Sequence, residues 1–382
     1  MEKVKVITIF GTRPEAIKMA PLVKELEKNP NIENKVCVTA QHRQMLDQVL
    51  DLFDITPDFD LNIMQSKQTL TGITTRVLEG LEDIFEKENP NLVLVHGDTT
   101  TTFAGALAAF YQKIKVGHVE AGLRTFDKYF PFPEEMNRKL TGSMADLHFA
   151  PTAGSKSNLL REGIDKKDIF VTGNTVIDAM EFTVEDSYVF NNVELNGIEY
   201  NKKKVIMVTA HRRENWGDGI ENICNALKRI VEENNDVEIV YLVHLNPVVK
   251  DVVYRILGGV PRVHLLPPLD TKETHNLMNR CFMVMTDSGG LQEEAPHLGK
   301  PVLVLRDVTE RPEAVKAGTV KLVGTDITTI LNAANELIRN SAEYDKMSRA
   351  INPYGDGKAS ERIVHAILSY FGIQKMKYEE FS

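Results

Sequence analysis

Cysteine and tryptophan are scarce in this chain, at three and one of 382 residues. Cys37, Cys224 and Cys281 lie far apart, show no CxxC or metal-ligand spacing, and fall in apolar-periodic segments. That pattern excludes a disulfide scaffold and reads as packing. An odd cysteine count, and a chain that opens directly on an apolar β-branched run at residues 4–10, lead us to expect a cytoplasmic protein. No apolar stretch approaches the ~20 residues that a membrane-spanning helix needs, so no membrane partner is expected. Net charge is −9 with the two signs interspersed and no long basic block, which argues against nucleic acid. Also missing are a repeat of 20–50 residues, a low-complexity tract, a GxGxxG dinucleotide pattern and a Walker loop.

What is present is an alternation. Short apolar, β-branched runs at 5–10, 35–39, 92–96, 115–120, 147–150 and 169–172 read as strands, as do 204–209, 238–244, 263–266, 281–286, 301–305 and 320–323. Between them lie stretches of helical period such as 15–28, 70–87 and 219–233. A βαβα rhythm with near-continuously apolar strands predicts an α/β protein with parallel sheets covered on both faces. The chain is longer than one core usually serves. The rhythm falters at 186–203, which is polar and Asn-rich and reads as a connection between domains. We therefore expect a first domain over 1–185, joined by a C-terminal helix within 360–382, and a second over 186–359.

Ligands of open parallel sheets bind beyond the carboxyl ends of the strands, and unusual polar residues cluster there in both halves. The first strand runs into Gly11-Thr12-Arg13-Pro14-Glu15 and a helix carrying Lys18. Gly11 permits a close backbone approach, Pro14 suits a first helical turn, and Arg13 and Lys18 supply charge for a phosphate. Taken alone, this is also an ordinary βα turn. The strand at 92–96 ends in His96-Gly97-Asp98 followed by four threonines, which are costly at a helix start unless their hydroxyls find partners. Asp98 could cap that helix or point to the mouth of the sheet. Next come His118-Val119-Glu120-Ala121-Gly122-Leu123-Arg124 and the loop Phe130-Pro131-Phe132-Pro133-Glu134-Glu135-Met136-Asn137-Arg138. Asp98, Glu120 and Glu134 could thus converge, and crowded carboxylates raise one another's pKa, which suits acid/base work near neutral pH. A divalent metal is the competing reading, without a DxD spacing to support it.

The second half repeats the logic. Its first strand ends in Thr209-Ala210-His211-Arg212-Arg213-Glu214-Asn215-Trp216-Gly217, and the next in His244-Leu245-Asn246-Pro247. Arginine and histidine at such ends suit a diphosphate, although either histidine could be structural. Thr286-Asp287-Ser288-Gly289-Gly290-Leu291-Gln292-Glu293-Glu294 delivers Ser-Gly-Gly onto a helix start, a place where free N–H groups meet phosphate oxygens. Glu294 is placed to accept hydrogen bonds from ribose hydroxyls, and Arg306 to Glu313 add further polar groups.

The series Gly11-Thr12-Arg13-Pro14-Glu15, Gln41-His42, His96-Gly97-Asp98, Val119 to Arg124, Pro133 to Arg138, His211 to Asn215 and Asp287-Ser288-Gly289-Gly290 resembles the non-hydrolysing UDP-N-acetylglucosamine 2-epimerases. The likeness runs from residue 4 to about 372. It implies two Rossmann-like domains facing a central cleft (glycosyltransferase-B-like), a homodimer, no metal, no nicotinamide or other cofactor, and UDP-N-acetylglucosamine and UDP as ligands. By resemblance the catalytic residues are Asp98, Glu120, Glu134 and His211. Arg13, Ser288, Gly289 and Gly290 are phosphate ligands, Glu294 the ribose ligand, and Lys18, Arg138 and Arg311 accessory contacts. The family also implies activation by UDP-N-acetylglucosamine itself, through Gln41, Gln44, Glu134, Arg212 and His244. Lys67 stands where an arginine is expected, keeping the charge but losing the planar fork. A hydrolysing epimerase and a retaining UDP-sugar glycosyltransferase remain the alternatives.

Overall fold

Continuous apolar runs with buried residues on both faces leave a strand only one stable setting, between two layers of helix. Among the described residues thirteen strands form two separate sheets, the central ones in that setting. The computed structural model describes residues 3–40, 43–65, 68–375 and 379–381, with backbone only at 44 and 45. The first sheet contains β1 (Val4–Phe10), β2 (Ile32–Val38), β3 (Phe59–Asp60), β4 (Leu92–His96), β5 (Lys115–Val119), β6 (Leu147–Ala150) and β7 (Ile169–Val171). Its order is β3-β2-β1-β4-β5-β6-β7 and every pairing is parallel. The second contains β8 (Lys204–Thr209), β9 (Val237–Leu242), β10 (Val263–Leu266), β11 (Met283–Thr286), β12 (Val302–Val304) and β13 (Val320–Leu322). Its order is β10-β9-β8-β11-β12-β13, again all parallel.

In both sheets the strand order reverses beside the first strand, between β1 and β4 and between β8 and β11. Helices leave opposite faces at such a point, so the loops diverge and open a crevice at the carboxyl ends. β4 is buried at all five positions, and β8 at its four central ones. At roughly 1.5–3 kcal/mol for each large aliphatic side chain removed from water, such strands hold each sheet between its helices.

The chain forms two compact units. One runs to Phe182 and resumes at Tyr354, and the other spans Thr183–Pro353. The returning helix Ala359–Tyr370 belongs to the first unit, where Ile363, Val364 and Ile367 join Met19, Leu22, Val23 and Leu26 of helix Arg13–Lys28 in one core. The Asp178 carboxylate caps that helix from outside, accepting from the N–H groups of Ala359 (3.2 Å) and Ser360 (2.7 Å). The Asn-rich stretch after Thr183 is tied to helix Thr271–Arg280 of the second unit: Glu185 N–H donates to Asn276 and Asn191 N–H to Glu273, each at 2.8 Å. Arg280 stacks over Phe190 and Tyr200. All three cysteines are buried thiols, each pushed up to about 12 by burial. Among the described residues no helix is long and apolar enough to cross a membrane.

Candidate active site

In the first unit the polar residues gather at the carboxyl ends of β1, β4 and β5. The turn after β1 is held against the sheet: a side chain at Gly11 would put its Cβ 1.9 Å from Thr39 Oγ1 and 2.8 Å from Thr101 Oγ1. Only glycine fits there. Arg13 opens the next helix half-buried, and among the described residues its guanidinium has no hydrogen-bond or ion-pair partner. A cation placed at a sheet's carboxyl end with nothing to neutralise it is ready for an anionic ligand.

Asp98 follows β4. Thr99, not Asp98, caps the helix Thr100–Tyr111, its hydroxyl accepting from Thr102 N–H at 3.1 Å. The Asp98 carboxylate accepts from Arg138 Nη2 at 2.7 Å, and Asn137 Nδ2 donates to the Asp98 carbonyl at 2.9 Å. Burial raises the Asp98 pKa, Arg138 opposes the rise, and the negative charges of Glu120 and Glu134 add to it. Both glutamates thus act on Asp98 electrostatically.

Glu120 sits one residue beyond β5 with φ +62°, a left-handed conformation rare for a residue with a side chain. Such strain persists where its surroundings over-determine it. Here the carboxylate is held by the Lys18 ammonium and by Asn174 Nδ2 at 2.8 Å, and His96 Nε2 stands 3.8 Å away. His96 is 4% exposed, and burial lowers its pKa to about 4, so the ring is neutral at physiological pH. Glu134 begins the helix Glu134–Met144 and has no ion-pair partner among the described residues. Lys18 and Arg138, expected as contacts to a nucleotide, are therefore found on two of the three carboxylates.

The second unit carries a different set. Asp287, fully buried just after β11, accepts from the N–H groups of His211 and Arg212 (both 2.8 Å) and from Asn215 Nδ2 (3.0 Å). This one carboxylate shapes the whole turn after β8. His211 Nδ1 lies 3.5 Å from Asp287 Oδ1, and the His211 ring stacks on His244 with centroids 5.3 Å apart and planes 10° from parallel. Burial lowers the His211 pKa, Asp287 works against that, and His244 and Arg212 reinforce it. Ser288 precedes the short helix Gly289–Glu294. A Cβ on Gly289 would lie 3.6 Å from Arg311 Nη2 and 3.9 Å from Arg212 Nη2, so two guanidinium groups border the Ser-Gly-Gly turn. Arg311 is anchored by Glu293. Glu294 Oε2 stands 3.3 Å from His275 Nε2, whose Nδ1 contacts the Thr183 hydroxyl at 2.6 Å.

Of the expected residues, Gln41 and Lys67 lie outside the described residues, as does the side chain of Gln44. Sequence reasoning assigned no role to Glu15, Asn174, His275 or Asp287. Asp287 had the clearest signal, a lone acid between an apolar strand and Ser-Gly-Gly. All three donors reach one oxygen, Oδ2, so replacing Asp287 with alanine leaves them without an acceptor. We expect a loss of ~2 kcal/mol of stability in urea unfolding followed by the fluorescence of Trp216, whose Nε1 donates to the His211 carbonyl at 3.1 Å. An unchanged midpoint would show that Asp287 does not hold this turn.

Residues 24–368 match the family described as UDP-N-acetylglucosamine 2-epimerase. The chain is 58% identical over 382 residues to the UDP-N-acetylglucosamine 2-epimerase of Bacillus subtilis, covering 100% of both chains. Among solved structures it is similar to the Neisseria meningitidis UDP-GlcNAc 2-epimerase bound to UDP-GlcNAc, with 52% identity, TM-score 0.86, and coverage of 96% of this chain and 100% of that one. It is also similar to the Methanocaldococcus jannaschii UDP-GlcNAc 2-epimerase in complex with UDP-GlcNAc and UDP, at 37% identity and TM-score 0.76, with the same coverage. With the family matched across most of its length and these relatives matched nearly end to end, the chain belongs to the UDP-N-acetylglucosamine 2-epimerase family.

Proposed function

We propose that the protein interconverts UDP-N-acetylglucosamine and UDP-N-acetylmannosamine without hydrolysis, by eliminating UDP to a 2-acetamidoglucal and adding it back. The observation that carries this reading is the crowding of Asp98, Glu120 and Glu134, with Asp98 raised by burial and by its two acidic neighbours. The C2 proton of an acetamido sugar is far too weakly acidic for a carboxylate to remove directly. Breaking the C1–O bond to UDP first builds positive charge at C1 and acidifies the adjacent C–H. Elimination and re-addition then need one group to take a proton from C2 and another to deliver one to the opposite face. Carboxylates placed on the two faces of the sugar ring could supply both.

The leaving diphosphate needs charge stabilisation that grows as the bond breaks. His211, Arg13, Arg311 and the Ser288-Gly289-Gly290 turn are the groups we assign to it, with Lys18 and Arg138 adding positive charge while they hold Glu120 and Asp98. Glu294 takes the ribose. Gln41, Gln44, Lys67, Arg212, His244 and Glu134 are assigned to a second, activating UDP-N-acetylglucosamine. The family likeness, with relatives bound to UDP-GlcNAc and UDP, supports these assignments. A homodimer working in the cytoplasm completes the proposal.

The test is incubation with UDP-N-acetylglucosamine in deuterated water, followed by proton NMR. UDP-N-acetylmannosamine should appear, with deuterium entering C2 of both epimers. Free N-acetylmannosamine with an equal amount of UDP would establish the hydrolysing reaction instead. Binding without any conversion would return the chain to the transferase reading.

A further inference from the structure

Glu15 is a buried acid that the proposed reaction does not use. It lies in the first turn of helix Arg13–Lys28 and is 2% exposed. Its Oε2 accepts from Gly11 N–H (3.1 Å), Thr12 N–H (2.8 Å) and the Thr12 hydroxyl (2.8 Å). Its Oε1 accepts from the Thr99 hydroxyl at 2.7 Å. The Thr102 hydroxyl is 3.2 Å from Oε1, but it has a single proton and lies closer to the His96 carbonyl. Four donors are therefore committed to this carboxylate. Among the described residues no lysine, arginine or histidine pairs with it.

A buried carboxylate without a cation is costly, and the capping box that Glu15 completes with Thr12 does not require one, since glutamine at this third helical position serves as well. What glutamine cannot do is accept on both side-chain atoms, from two separate loops at once. One oxygen of Glu15 holds the turn Gly11-Thr12, immediately before Arg13. The other holds Thr99, immediately after Asp98. Gly11, without a side chain, also abuts both Thr39, just past β2, and Thr101, in the helix after β4, whose hydroxyls are 3.0 Å apart. Thr99 completes the relay, since the hydroxyl that donates to Glu15 also accepts from Thr102 N–H and so sets the start of the following helix.

We propose that Glu15 is a positioning residue, a carboxylate clamp that sets Arg13 and Asp98 relative to one another by tying the loop after β1 to the loop after β4. The inference rests on the epimerase reading above. It requires an acceptor on both oxygens and a hydroxyl at Thr99, so it predicts a coupled pair rather than a generally fragile fold.

The experiment compares wild type, Glu15→Gln, Thr99→Val, Thr99→Ser and the double variant Glu15→Gln/Thr99→Val. Deuterium entry at C2 gives kcat and KM, and thermal melts ensure that every rate is taken well below unfolding. Glu15→Gln is expected to lower kcat about 10- to 100-fold, the usual cost of misplacing reacting groups, with a smaller change in KM. Thr99→Val should lose a similar factor, and Thr99→Ser should recover most of it. The double variant should be no slower than the worse single, because both break one contact. A Glu15→Gln protein that melts earlier but keeps its rate would overturn the proposal, as would losses that multiply in the double variant. If Glu15→Gln does not fold, equal rates for Thr99→Val and Thr99→Ser overturn it. A wild type that shows no exchange at C2 removes the reaction itself, and the proposal with it. An active wild type with unaffected variants removes only the clamp.

Discussion

Replacing Glu120 by glutamine is expected to lower the rate of C2 exchange roughly a thousandfold while the protein remains folded, within the range general acid/base groups contribute. The side chain is held on several sides: the Lys18 ammonium, the Asn174 amide at 2.8 Å and the His96 ring 3.8 Å away, on a backbone at φ +62°. Glutamine is nearly isosteric and has no trouble occupying that space. It keeps an oxygen for Asn174 but loses the negative charge that faces Lys18, and it cannot exchange a proton. Two explanations of a slow variant can be separated. Were Glu120 present only to hold Lys18, which we assign to the diphosphate, Lys18→Met would be at least as slow as Glu120→Gln. A proton-transfer role predicts that Glu120→Gln is much the slower of the two. Retention of even a tenth of the wild-type rate by Glu120→Gln would rule out that role.

The same residues show what a sequence can and cannot convey about such a site. β4, β6 and β8 were expected with the bounds the structure has, because a four- to six-residue apolar run between polar flanks fits one setting only, a strand covered on both faces. β3, two residues long, has no apolar run to betray it and is recruited by pairing with Cys37 and Val38. Asp98, Glu120 and Glu134 were legible because each stands just past a strand or at a helix start. Their partners were not. Lys18 pairs with a residue 102 positions away, Arg138 with one 40 away, and Asn174 reaches back 54. Sequence shows the sign of a charge but not what it faces: Lys18 and Arg138, expected as accessory contacts to a nucleotide, are seen against carboxylates. Glu15 reads as an ordinary first-turn acid until Thr99, 84 residues on, is seen against it. Asp287 likewise organises a turn that lies 75 residues earlier in the chain.

Acid should unfold this protein well before its carboxylates are exhausted. His96, His118 and His148 are buried, and burial lowers their pKa values to about 4, about 3 and about 4. An unfolded histidine titrates near ~6.5. The native state therefore binds fewer protons than the unfolded chain below that pH, and stability is fully present above ~6.5 and lost as pH falls toward 4. Each ring contributes a loss of roughly 3 kcal/mol by pH 4, or about 9 for the three. Asp178 acts in the other direction. Burial raises it to about 6, so the folded chain takes up a proton before the unfolded one does, and stability rises as pH falls through 6. That returns only about 2 kcal/mol by pH 4. Glu15 and Asp98, which burial also raises, act with Asp178; among the three histidines and Asp178 the histidines prevail by roughly 7 kcal/mol, comparable to the whole stability of an ordinary domain. Urea titrations at steps from pH 7.5 to 4, read by far-ultraviolet circular dichroism, should show stability falling steeply below pH 6.5 and a cooperative acid transition near pH 4 to 5. His148→Leu, at a position 1% exposed in β6, should reduce the slope of stability against pH by about 1.4 kcal/mol per pH unit, one proton's worth, whatever its effect at pH 7. A stability profile that stays flat down to pH 4 would mean that these rings are charged, or solvated, in the folded protein.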